Sequence, residues 1–190
     1  MARPIGTTRA KKAIEKYEFD KLISFTNTTK HLAQQRARVK LKRAFTLLYV
    51  TGCRISEIVD FTTNDIRDMI EKKEYSLSNN TKTKKARLMI FGAQECEILK
   101  TLLVPENIKL FNNVTVGYLT LKCNDIIHKC LGSLYSTHSF RAGYVTRLAK
   151  SGENIELIRS DIGHKNIATT ARYIKVTDED KRKAKERLVW

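Results

Sequence analysis

Proline and glycine are scarce, 2 and 8 in 190 residues, while 42% of the chain is hydrophobic. That combination excludes fibrous and low-complexity chains and allows a buried core of ordinary domain size. Long apolar runs are also missing: none approaches the roughly 20 residues that a membrane-spanning helix needs. The basic stretch 1–12 has no apolar segment behind it, so it does not read as a secretory leader. The four cysteines, Cys53, Cys96, Cys123 and Cys130, contain no CxxC pair, and the 4 histidines do not complete a zinc site. Neither structural zinc nor a disulfide framework is expected, and the expected setting is a reducing one. Acidic residues are in deficit as well, 20 Asp and Glu against 36 Lys and Arg, a net charge of +16. A surplus of that size points to a polyanionic partner, nucleic acid first, with a ribosome-associated or heparin-like binder or a lysine-rich proteome as alternatives. Charge alone implies no reaction.

What is present is helical periodicity with one interruption. Residues 1–12 are basic and aperiodic and read as an arm along a phosphate backbone. A short helix is predicted over 19–24, with Tyr17, Leu22, Ile23 and Phe25 as apolar contacts. A buried helix follows over 34–50, with Arg36, Arg38, Lys40, Lys42 and Arg43 on its opposite side and Gly52 as a left-handed cap. That basic side reads equally as a phosphate-binding face, through Arg36, Lys40 and Arg43, or as a solvated one. A second short helix is predicted over 56–61. Then the period changes: Tyr75 and Leu77 alternate with polar residues, Asn79-Asn80 marks a turn, and 87–91 resumes an extended apolar run. The result is a β-hairpin tipped by Lys82, Lys84 and Lys85. Helices are predicted again over 93–103, stopped by Pro105, and over 119–131 with Leu121, Ile126, Ile127 and Cys130 inward. Three more occupy 139–150, 153–162 and 167–175. The fold class is α+β, mainly α, a compact helical domain with one small antiparallel sheet.

Three local patterns bear chemistry. In Thr51-Gly52-Cys53-Arg54-Ile55-Ser56-Glu57, Arg54 lies just beyond a helix end with Glu57 close enough to orient it; a surface ion pair is the competing reading. In His138-Ser139-Phe140-Arg141, the i, i+3 spacing puts an imidazole and a guanidinium on one turn, where both can touch one phosphate. His138 can equally pack at the helix cap. In Ile162-Gly163-His164, continued to Arg172-Tyr173, a glycine cap exposes His164 and a short helix carries Tyr173; alone, such a tyrosine is ordinarily a packed aromatic. Cutting a phosphodiester with a protein nucleophile needs such a set. It takes an oxygen nucleophile, arginines whose forks match two phosphate oxygens, and an acid for the leaving oxygen.

Taken together and in this order, the patterns resemble the tyrosine recombinases, the phage-type integrases and resolving enzymes, over residues 17–176. The resemblance implies that Tyr173 attacks DNA to form a 3′-phosphotyrosyl bond while Arg54 and Arg141 clamp the non-bridging oxygens. It gives His164 a further hydrogen bond to the transition state and His138 the phenolic proton. Lys82 protonates the leaving oxygen, with Lys84 as fallback and Lys85 as a further phosphate contact. Residues 1–16 form a basic arm or linker and 177–190 a tail helix that docks on a neighbouring protomer or folds back on its own domain. Double-stranded DNA and a four-protomer synapse are the implied partners, without metal, nucleotide, membrane or small-molecule substrate. The implied setting is cytoplasmic and DNA-associated. Ala142-Gly143-Tyr144 and Asp161 depart from the family pattern, as do Thr81 and Thr83, which stand where the family has glycines in the hairpin loop. A DNA-binding accessory protein that keeps the fold without catalysis is the alternative function. A type IB topoisomerase fits less well, because there the histidine and tyrosine lie much farther apart.

Overall fold

The computed structural model describes residues 11–32, 34–77, 86–164, 166–171, 174 and 178–186. Helix α1 (Lys16–Thr28) buries Phe19, Leu22 and Thr26 and runs beyond the predicted 19–24 at both ends. Tyr17, expected as an apolar contact, is instead 74% exposed. Helix α2 (Gln35–Thr51) is buried almost continuously from Leu41 onward and ends at Gly52, whose φ of 61° is the left-handed cap predicted. Gly52 is required twice over, because a Cβ there would also lie 2.7 Å from the Tyr144 ring. Arg38, read as part of a basic face, donates to the carbonyls of Thr26, Asn27 and Thr29 and so satisfies the end of α1.

The helix predicted over 56–61 is the four-residue α3 (Ile55–Ile58), and α4 (Thr63–Glu71) follows where no helix was predicted. Its start is a capping box: Asp65 N donates to Thr62 Oγ1 at 3.2 Å and Thr62 N to Asp65 Oδ2 at 2.7 Å. Strands β1 (Glu74–Leu77) and β2 (Arg87–Ile90) form the expected antiparallel hairpin, Glu74 opposite Ile90 and Leu77 opposite Arg87. The tip, with Lys82, Lys84 and Lys85, lies outside the described residues.

Helices α5 (Ala93–Lys100), α6 (Val116–Leu131), α7 (Thr137–Lys150), α8 (Ile155–Ile162), α9 (Ile167–Ala171) and α10 (Asp178–Glu186) complete the chain. In α6 the inward residues are Leu119, Cys123, Ile126 and Ile127, spaced i, i+4, i+7, i+8. Leu121, expected inward, falls on the other side of that helix and is 65% exposed, and Cys130 is half-buried. Helix α2 is central, packed by α1, α5, α6 and α7, with Phe45 stacked on Phe140 at 5.8 Å. The sheet lies against α4 and α8. The fold is therefore mainly helical with one small antiparallel sheet.

The segment 11–15, assigned in sequence to the arm, is a strap packed on the domain. Lys12 N donates to Leu134 O at 3.1 Å, Ile14 N to Ser139 O at 3.0 Å, and Ile14 is fully buried. Its path crosses α7 at Gly143, where any Cβ would stand 2.0 Å from Ile14 O.

Candidate active site

Two glycine-capped helix ends and one helix start converge on a single point. The turn at Gly52 redirects the chain so that Arg54 opens α3, and the Glu57 carboxylate, 2% exposed, folds back beneath it. One carboxylate oxygen accepts from Arg54 N and the other from Arg54 Nη1, both at 2.7 Å. Burial opposes the Glu57 charge, but Arg87, the Arg54 amide and the Arg54 guanidinium outweigh it and hold the carboxyl below its ordinary value. Glu57 thus holds both the backbone and the side chain of Arg54.

The start of α7 is set by Ser136 N donating to Ser139 Oγ at 3.0 Å and Thr137 N to Asn124 Oδ1 at 2.9 Å. One turn inward, Arg141 is 4% exposed and reaches both glycine caps. Its Nη1 donates to Gly52 O at 3.0 Å, its Nη2 to Ile162 O, and its Nε to His164 Nε2 at 3.3 Å. A guanidinium only donates, so His164 Nε2 is the acceptor, the ring proton sits on Nδ1, and Thr170 Oγ1 accepts it at 2.9 Å. Burial, followed by the charges of Arg141, Arg54 and Arg87, pushes His164 down to about 4. His138 is lowered too, by burial and then by Arg54, Arg141 and Lys11, and stays neutral at neutral pH. Burial, and then Arg54 and Arg87, also oppose the Arg141 cation. An anion placed beside it would relieve that opposition.

Arg54, His138 and Arg141 line one pocket of about 170 Å³, together with Ser56, Thr137 and Val116. Tyr173 and Lys82 lie outside the described residues. Ile174, which follows Tyr173 in sequence, packs against the cluster of Tyr144, Val145, Ile158 and Ile162, between α7 and α8.

Against this geometry, the sequence pattern of the phage integrase family matches residues 12–180. The chain belongs to this family, the tyrosine recombinases. It is 30% identical over 172 residues to the tyrosine recombinase XerC of Staphylococcus aureus, a match covering 83% of this chain and 53% of that one. A tyrosine recombinase of Thermosipho africanus is 28% identical over 158 residues, 79% of this chain and 54% of the relative. The chain thus spans about half the length of these relatives. In fold it is similar to the XerH site-specific recombinase bound to palindromic difH substrate in a post-cleavage complex, with TM-score 0.67 and 19% identity over 98% of this chain and 55% of that one. It is similar also to the Tn1549 transposon integrase in complex with a circular intermediate DNA, with TM-score 0.65 and 20% identity over 97% and 68%.

Two of the departures from the usual tyrosine recombinase pattern are partners: the Tyr144 phenol donates to Asp161 Oδ2 at 2.7 Å, tying α7 to α8 beside Gly52. Of the proposed DNA contacts, Arg36 is exposed, Lys40 donates to Asn112 O at 3.0 Å, and Arg43 is half-buried, which lowers its pKa. Sequence reasoning missed Arg87, whose side chain is 8% exposed and lies 3.3 Å from Glu57. The signal was alternation: Met89 and Phe91 are buried while Leu88 and Ile90 are 52% and 68% exposed, so Arg87 shares the inward phase. Among the described residues, no group of three or more His, Cys, Asp or Glu is placed to hold a metal ion, and no helix is long and apolar enough to cross a membrane.

Proposed function

We propose that the chain cuts and rejoins duplex DNA at specific sites through a 3′-phosphotyrosyl intermediate on Tyr173. The observation that carries this reading is the pocket of about 170 Å³ that Arg54, His138 and Arg141 line together. Arg54 and Arg141 receive the two non-bridging oxygens of the scissile phosphate, and their charge matters most as negative charge builds in the transition state. Neutral His138 takes the phenolic proton as the Tyr173 oxygen bonds to phosphorus. The bond from phosphorus to the 5′ oxygen breaks, and Lys82 supplies the proton that leaves with that oxygen. Rejoining reverses each transfer with another 5′ hydroxyl, so bond energy is conserved and no nucleotide is consumed.

His164 first acts on Arg141, whose Nε it accepts. When a phosphate takes over that Nε–H, His164 can switch tautomer, releasing its Nδ1 proton and taking one up on Nε2 for the phosphate while the Thr170 hydroxyl turns to donate to Nδ1. The catalytic unit in this reading is 17–176, held by the strap 11–15, and the tail helix docks on a neighbouring protomer of a four-protomer synapse. The test uses duplexes nicked near the cut, drawn first from a random-sequence pool. Tyr173→Phe lowers covalent adduct formation at least about 1,000-fold and leaves DNA affinity within about twofold. Wild-type chain that binds DNA but forms no adduct at any salt concentration would point instead to an accessory DNA-binding protein.

A further inference from the structure

Arg87 is a charge buried at the foot of the hairpin, on a strand whose other inward residues are apolar. Burying a guanidinium is costly unless it is paired, and for stability alone an apolar side chain in phase with Met89 would serve as well. Its donors go to a distinctive set of acceptors. Nη2 lies 3.3 Å from Glu57 Oε2 and 3.1 Å from Cys53 Sγ, and Nη1 donates to Ile162 O. Its Nε is buried with no hydrogen-bond partner among the described residues.

Two of those acceptors are already in use by the phosphate clamp. Glu57 also holds Arg54, and Ile162 O also accepts from Arg141 Nη2. Glu57 left alone with Arg54 would form a full one-to-one ion pair, drawing the guanidinium back and cancelling its charge. A second cation on the same carboxylate prevents that. At Ile162, the same residue ties the strand leading from the hairpin tip to the turn that carries His164.

We propose that Arg87 is a positioning residue that keeps Arg54 and Arg141 aimed into the phosphate pocket by sharing their acceptors, the Glu57 carboxylate and the Ile162 carbonyl. The inference rests on the reading of that pocket as the site of the scissile phosphate. Arg87 sits five positions after Lys82, so the same contacts anchor the strand behind the hairpin lysine.

The test compares wild type, Arg87→Met and Arg87→Lys on a nicked duplex that wild type converts to adduct. Arg87→Met slows adduct formation at saturating DNA about 100-fold, the scale of an ångström-sized misplacement of a clamp, while half-saturating DNA stays within about threefold. Arg87→Lys, which keeps a cation to pair with Glu57 but loses the fork, recovers about tenfold of that loss and stays about tenfold slower than wild type. The proposal is overturned if Arg87→Met reacts at the wild-type rate. It is equally overturned if both variants lose rate only in step with DNA binding and melting temperature. If Arg87→Met does not fold, Arg87→Lys decides: about tenfold slower at saturation supports the proposal, and an unchanged rate refutes it. Absence of any adduct from wild type refutes the transesterase reading itself, a separate result.

Discussion

His164 is held neutral between Arg141 and Thr170, and its pKa of about 4 contrasts with about 6.5 in an unfolded chain. Between those values the unfolded chain takes up a proton that the folded chain refuses. Stability is therefore complete above about pH 6.5 and falls as pH drops toward 4. Urea unfolding should show a loss of roughly 2 kcal/mol between pH 8 and pH 5 from this group. His138 is shifted in the same direction, so His164→Gln is the control: it should flatten most of the slope, and an unchanged slope would contradict the buried, neutral imidazole. At this scale the spacings of Arg54, Glu57, His138, Arg141 and His164 were legible because each pair sits within one turn of its own helix or cap. Arg87 was not, because its partners Glu57, Cys53 and Ile162 come from elsewhere in the chain and only folding brings them to it.

Among the elements, α7 carries the site and the strap 11–15 braces it through Ile14 and Gly143. Gly143→Ala gives a test by sign. In an ordinary helix interior the change stabilises by about 1 kcal/mol; here the new methyl would meet Ile14 O at 2.0 Å. Denaturant unfolding should show destabilisation of about 1–3 kcal/mol, the cost of overpacking, and a gain in stability would contradict the strap. Helices α2, α5, α7 and α8 were legible from dense apolar periodicity. Helix α4 was overlooked although Ile66, Met69 and Ile70 mark one face at i, i+3, i+4 spacing behind the Thr62–Asp65 capping box, because that face shows only when the phase of the three is read together. In α6, Leu121 misled for a related reason: hydrophobicity marks a face only when the phase agrees with its neighbours, and Leu119, Cys123, Ile126 and Ile127 set a different one.

For the whole molecule, the net charge of +16 fits a protein whose affinity for DNA comes largely from phosphate contacts. The logarithm of the binding constant for a random duplex should fall against the logarithm of salt concentration with a slope of about −4 or steeper, as roughly five phosphate contacts give. A slope shallower than about −2 would mean that most of the surplus charge does not face DNA. The mainly helical class was legible from composition and period, and the charge surplus pointed to a polyanionic partner, whereas the pocket that joins two distant motifs follows only from how α3, α6 and α7 come together. The most direct test of the central claim is mass spectrometry of the trapped wild-type adduct after nuclease and protease digestion. A nucleotide joined through its 3′-phosphate to the peptide containing Tyr173 is the predicted result. A linkage to any other residue, or through a 5′-phosphate, would contradict it.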